Sequence, residues 1–112
     1  IISPIMQNNQ IKLEAKLFKG LGDESRLAIL ETMLEGEKNV SEVVDLTGLS
    51  QPNVSMHLKC LQGCGLVEQS RKGIHIYYRH STKDLKKLVN LAKKILKENQ
   101  KEISECKNTK LS

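Results

Sequence analysis

At 112 residues the chain is about one domain long, with room for one modest core and not for two. Eighteen Lys and Arg against thirteen Asp and Glu give a net charge of +5, and the aromatic residues are one Phe and two Tyr. No run of about eighteen apolar residues occurs, and the opening "IISPIMQNNQ" has neither a basic n-region nor a long apolar h-region, so the expectation is a cytoplasmic chain with no membrane partner.

The charge excess is uneven: +2 over residues 1–22, −5 over 23–46, +3 over 50–80 and +5 over 81–112. Basic stretches suit a polyanion, although a Lys-rich helix is as readily a solvated face. With only Phe18, Tyr77 and Tyr78, the stacking platform that single-stranded nucleic acid needs is missing. Three cysteines, an odd number without framework spacing, suit a reducing compartment in which thiols serve metal or redox chemistry.

Residues 1–10 read as a flexible leader. From Ile11, the apolar Leu13, Leu17, Phe18 and Leu21 mark a first helix that stops at "GLG". Asp23 fits the N-cap of a second, in which Leu27, Leu30, Met33 and Leu34 recur at helical spacing up to Gly36. Ser41 is placed as the cap of a short third helix with Val43, Val44 and Leu46, ended by Gly48. Ser50 caps the fourth, with Pro52 tolerated in its first turn. Two short helices around a tight Gly turn make a helix-turn-helix, whose second helix usually enters the major groove.

After Gly65 the period changes. "LVEQS" and "IHIYYRH" flank "RKG" and read as a hairpin with a basic tip, the wing. Ser81 with Asp84 resembles a capping box that opens a long last helix to about Asn99, in which Leu85, Leu88, Ala92 and Ile95 form an apolar stripe. That stripe either packs on its own domain or joins a partner copy, and the dimer is favoured because two copies double the DNA contacts. The fold class is mainly α (α+β), a winged helix-turn-helix of order α-α-α-α-β-β-α, dimeric through its terminal helices. Residues 11–99 form the DNA-binding and dimerisation domain, and residues 100–112 a C-terminal tail.

On the fourth helix Val54, Leu58 and Leu61 point inward, which leaves Gln51, Asn53, Ser55, Met56 and Lys59 to the groove, with Ser50 at its entry and His57 near the backbone. Gln and Asn read adenine, whereas Ser and Lys mostly hold phosphates. On the wing, Arg71, Lys72 and His75 add phosphate or minor-groove contacts. Plain surface polarity is the alternative for each of these residues.

The segments "GDESRLAIL", "LSQPNVSMHLKCLQGCGLV" and "RKGIHIYYR", in this order of elements, resemble the ArsR/SmtB family of winged-helix repressors over about residues 11–98. The resemblance implies a homodimer that binds double-stranded operator DNA, leaves it when a metal ion or another inducer binds, and performs no enzymatic step. Of the family's metal sites, the third-helix cysteine box has no counterpart in "GEKNVSEVVDL", and the last-helix zinc site finds only Asp84 and no histidine in "STKDLKKLVNLAKKILKENQ". "HLKCLQGCGLV" is similar to the CmtR-type cadmium and lead sensors, which implies ligation by Cys60, Cys64 and, from the tail, Cys106.

Positions i and i+4 of a helix lie about 5–6 Å apart at Cβ, so the Cys60 and Cys64 thiolates share one face. Thiolates favour thiophilic ions, and Cd(II) or Pb(II) follows from the resemblance; Zn(II), which usually wants a fourth ligand, is a further candidate inducer. Small buried hydrophobes at both positions and no metal site, or a thiol redox or persulfide switch, are the alternatives. A thioredoxin-like enzyme would show CxxC at a helix N-terminus rather than CxxxC at a C-terminus.

Overall fold

The computed structural model describes residues 4–107. Its elements are α1 (Pro4–Leu21), α2 (Glu24–Thr32), α3 (Val40–Thr47), α4 (Gln51–Gly63), β1 (Val67–Lys72), β2 (His75–His80) and α5 (Lys83–Ser104), a winged helix-turn-helix in the expected order. The first three residues of the expected leader and the last five of the tail lie outside the described residues.

Side-chain caps set most helix starts, because the first turn leaves amide N–H groups without carbonyl partners. Asp23 accepts from the Arg26 amide at 3.0 Å, and Ser50 from the Asn53 amide at 3.3 Å. Two caps differ from the sequence reading. Asn39, not Ser41, opens α3: its Oδ1 accepts from the Glu42 amide at 2.8 Å while the Glu42 carboxylate accepts from the Asn39 amide at 3.0 Å. Thr82, not Ser81, opens α5, and the Ser81 hydroxyl instead donates to the Gly65 carbonyl at 2.6 Å. Helix α1 also begins at Pro4 rather than Ile11, with proline in a first turn that needs no amide donor there. Helix α2 stops at Thr32, short of Gly36.

The strands pair from Val67↔His80 to Lys72↔His75, which leaves Gly73 and Ile74 as a two-residue turn. Gly73 has φ 67° and Ile74 a negative φ, the type II′ pattern that matches strand twist. Arg71 and Lys72 therefore end β1 rather than forming the turn. A third segment joins the wing: Lys38 and Tyr78 exchange both backbone hydrogen bonds, at 3.0 and 2.8 Å.

The core lies between α2, α3 and α4, where Ile29, Leu30, Val43, Val54, Leu58 and Leu61 are excluded from solvent, and Val67 and Leu85 close it from the wing and α5. The apolar stripe of α5 divides. Leu85 and Val89 are buried and Leu88 packs on the core, whereas Leu91 and Ile95 remain about half exposed. Two ion pairs tie α5 to the domain, Lys93 to Glu31 of α2 at 2.7 Å and Lys86 to Glu35 of the α2–α3 connection at 3.5 Å. At Asn99 the backbone leaves helical geometry (φ −127°, ψ 23°), and the Asn99 amide side chain donates to the Ile95 carbonyl at 3.0 Å. Among the described residues, no helix is long and apolar enough to cross a membrane.

Candidate nucleic-acid interface and thiol pair

Burial of Val54, Leu58 and Leu61 fixes the rotation of α4, so its other face is presented outward. Gln51, Asn53, Ser55, Met56 and Lys59 are all exposed on it, and Ser50 at its head has its hydroxyl oxygen engaged in the cap. His57 sits apart from this set. It is half buried, whereas the others are exposed. The Asp23 carboxyl is held below its ordinary value chiefly by the Arg26 amide it accepts from, with the charges of Arg26 and His57 adding to this against partial desolvation. Arg26 itself spans two helices: its Nε donates to the Gly20 carbonyl at 2.8 Å, satisfying the end of α1. Nothing in the local pattern around Arg26 marks that role.

The wing's cations are not equivalent. Arg71 is exposed and has no ion pair among the described residues. Lys72 is paired with Glu37 from the α2–α3 connection, and its ammonium also lies 5.4 Å from the Tyr77 ring centroid. The hydrogen bond and charge of Glu37 push the Lys72 ammonium to a higher pKa than usual. His75 is exposed, with its ring tilted against Tyr77 at 6.5 Å. His80, by contrast, is structural, with Nε2 2.7 Å from the Leu30 carbonyl oxygen.

Cys60 and Cys64 are exposed at the C-terminal end of the same helix. Cys64 is its C-cap residue, and its amide donates to the Cys60 carbonyl at 3.0 Å, so the helical spacing that brings two thiols to one face is kept. Cys64 also lines a shallow cleft of about 310 Å³ with Leu13, Lys16, Leu17, Gly20 and Leu66, which places α1 beside the thiols. Cys106 is exposed two residues beyond the end of α5, its amide donating to the Ile103 carbonyl at 3.3 Å. Among the described residues of one chain, no three His, Cys, Asp or Glu side chains gather as a metal-binding set. The donor chemistry of the thiol pair suits a soft ion, and a third ligand has to be brought to it.

A family model, "Bacterial regulatory protein, arsR family", matches residues 23–69, from the cap of α2 to the middle of β1. The chain is also 37% identical over 92 residues to a "Probable mercury resistance operon repressor" from Streptomyces lividans, an alignment spanning 82% of this chain and 74% of that one. The chain belongs to the ArsR family of bacterial regulatory proteins. It is further 39% identical over 64 residues to the HTH-type transcriptional regulator CmtR of Mycobacterium bovis, covering 57% of this chain and 54% of the relative. A solution structure of the homodimeric winged helix-turn-helix DNA-binding domain of a possible ArsR-family regulator from Mycobacterium bovis superposes with a TM-score of 0.77. It is 29% identical and the match covers 90% of this chain and 93% of that one. The ArsR family consists of DNA-binding transcriptional regulators rather than enzymes, and this chain is one of them.

Proposed function

We propose that this ArsR-family protein is a homodimeric, metal-responsive repressor that holds an imperfect palindromic operator through α4 and the wing and releases it when a thiophilic ion binds Cys60, Cys64 and Cys106. The observation that carries the reading is the placement of two exposed thiols on the helix whose outward face bears Gln51, Asn53, Ser55 and Lys59. Dimerisation is supported by unpartnered apolar side chains on the terminal helices, among them Leu13, Leu17 and Phe18 on α1 and Leu91, Ile95 and Leu96 on α5.

Coupling follows from charge and from reach. Three thiols that bind a divalent ion lose three protons, leaving the site one unit more negative where a polyanion must approach. Drawing Cys106 toward α4, from its own chain or from the partner copy, also brings the end of α5 against the reading helix. Both effects favour the DNA-free state, and linkage requires bound operator to weaken metal binding by the same factor. Cd(II) and Pb(II) suit an all-sulfur site of three ligands, and Zn(II) would take a fourth.

The test is to titrate the dimer, on a duplex selected from a random pool, with Cd(II), Pb(II) and Zn(II) while following DNA release and thiolate-to-metal absorption. Release by Cd(II) or Pb(II) at stoichiometric metal supports the reading; retention of DNA at saturating metal overturns it. A second reading has its own support, since the Streptomyces lividans relative is named for mercury resistance and two thiolates satisfy Hg(II). In that case Cys60 and Cys64 suffice, and release by Hg(II) persists in a Cys106→Ser variant.

A further inference from the structure

Wing cations are the usual phosphate contacts of such a fold, yet Lys72 is already paired within its own chain. Its partner, Glu37, is not a passing surface carboxylate. The adjacent Lys38 exchanges two backbone hydrogen bonds with Tyr78, so the connection from α2 to α3 is tied to β2 and holds Glu37 at the flank of the wing. The Glu37 side chain is only 22% exposed, against 63% for Lys72, so the carboxylate is the more enclosed member of the pair. The ammonium also lies over the Tyr77 ring, 5.4 Å from its centroid. Arg71, one residue away, has no such partner among the described residues.

We propose that Glu37 limits the affinity of the DNA interface by withholding Lys72 from the phosphate backbone, so that Arg71 is the wing's working cation. This rests on the DNA-binding reading given above. A carboxylate beside the wing also repels phosphates on its own account, so its removal acts in the same direction twice. An exposed ion pair is worth little to stability, which leaves the effect on DNA as the main consequence of the pair.

The experiment compares the parent, E37Q, K72A, R71A and the double variant E37Q/K72A on one duplex by fluorescence anisotropy from about 50 to 200 mM salt. Each phosphate contact contributes about 0.9 to the slope of log affinity against log salt. Arg71→Ala is expected to flatten that slope by about one unit, and Lys72→Ala to leave it near the parental value. Glu37→Gln is expected to steepen it by about one unit and to tighten binding several-fold at the low-salt end; the double variant loses the steeper slope and keeps only the part of the tightening that comes from the removed repulsion. A slope that flattens as much in K72A as in R71A overturns the proposal, as does an E37Q protein indistinguishable from the parent. A parent that binds no duplex in a salt-dependent way overturns the DNA reading as well, which separates the two failures.

Discussion

His80, the last residue of the wing, places its Nε2 2.7 Å from the carbonyl oxygen of Leu30 in the last turn of α2. A carbonyl only accepts, so the ring nitrogen carries the proton and the imidazole is held as a donor across fifty residues of sequence. His80→Ala is expected to cost about 0.5–1.5 kcal/mol for the hydrogen bond, with some lost packing added. Urea unfolding of the variant measures this; an unchanged midpoint would remove the contact from the account of the fold.

The reciprocal cap at the head of α3 makes a second prediction. Asn39→Ala deprives the Glu42 amide of its acceptor and should destabilise the domain by about 1 kcal/mol, while Ser41→Ala should be close to neutral. Equal losses in the two variants would show that Ser41 shares the capping.

Much of the fold was legible because its signals are local. The inward residues Val54, Leu58 and Leu61 repeat at helical spacing, Gly48 provides the left-handed stop (φ 73°), and the change of period after Gly65 announces strands. The misplaced caps show the limit of local signals, since Ser41 and Asn39, or Ser81 and Thr82, are equivalent candidates until backbone direction is known. The start of helix α1 at Pro4 has no such signal, because the polar run Gln7–Gln10 shows no apolar period. Of the candidate site, the outward face of α4 and the thiol pair could be read from spacing. The pairing of Lys72 with Glu37 could not, because it depends on a contact across 35 positions.

Acid should weaken the start of α2 in a defined direction. The Asp23 carboxyl is depressed below 3.8, so its contribution to stability is complete above that value and fades as pH falls through the lower folded-state value. Asp23→Ala should therefore cost about 1 kcal/mol near pH 7 and progressively less below pH 3.8, the ordinary value for this carboxyl. Denaturant midpoints of parent and variant at the two pH values decide it, and a constant gap would assign the effect to something other than the charged cap.

Asn53 is exposed in the first turn of α4 and is the residue best suited to read a base. Asn53→Ala should relax base preference at one position of each half-site, at a cost of roughly 1–3 kcal/mol if the contact is bidentate. Equal losses on the selected duplex and on random DNA would count against that role.

Cys106→Ser separates the two metal readings. It should leave DNA binding intact, weaken Cd(II) affinity and blunt Cd(II)-driven release, with loss of part of the ultraviolet thiolate-to-metal band. If the variant leaves DNA at the parental Cd(II) concentration, the tail cysteine is a bystander.

The anchoring of α5 has a further consequence. Leu85 and Val89 are buried, Lys93 is ion-paired to α2 and Lys86 to the α2–α3 connection, so the first half of this helix moves with the body that carries α4. In a dimer joined through its terminal helices, the separation of the two reading heads is therefore a rigid dimension, which the spacing of the two half-sites along the DNA has to match. Such a molecule is a caliper. Half-sites brought five base pairs closer or farther apart would present opposite faces of the double helix to its two jaws, and only one of them would close.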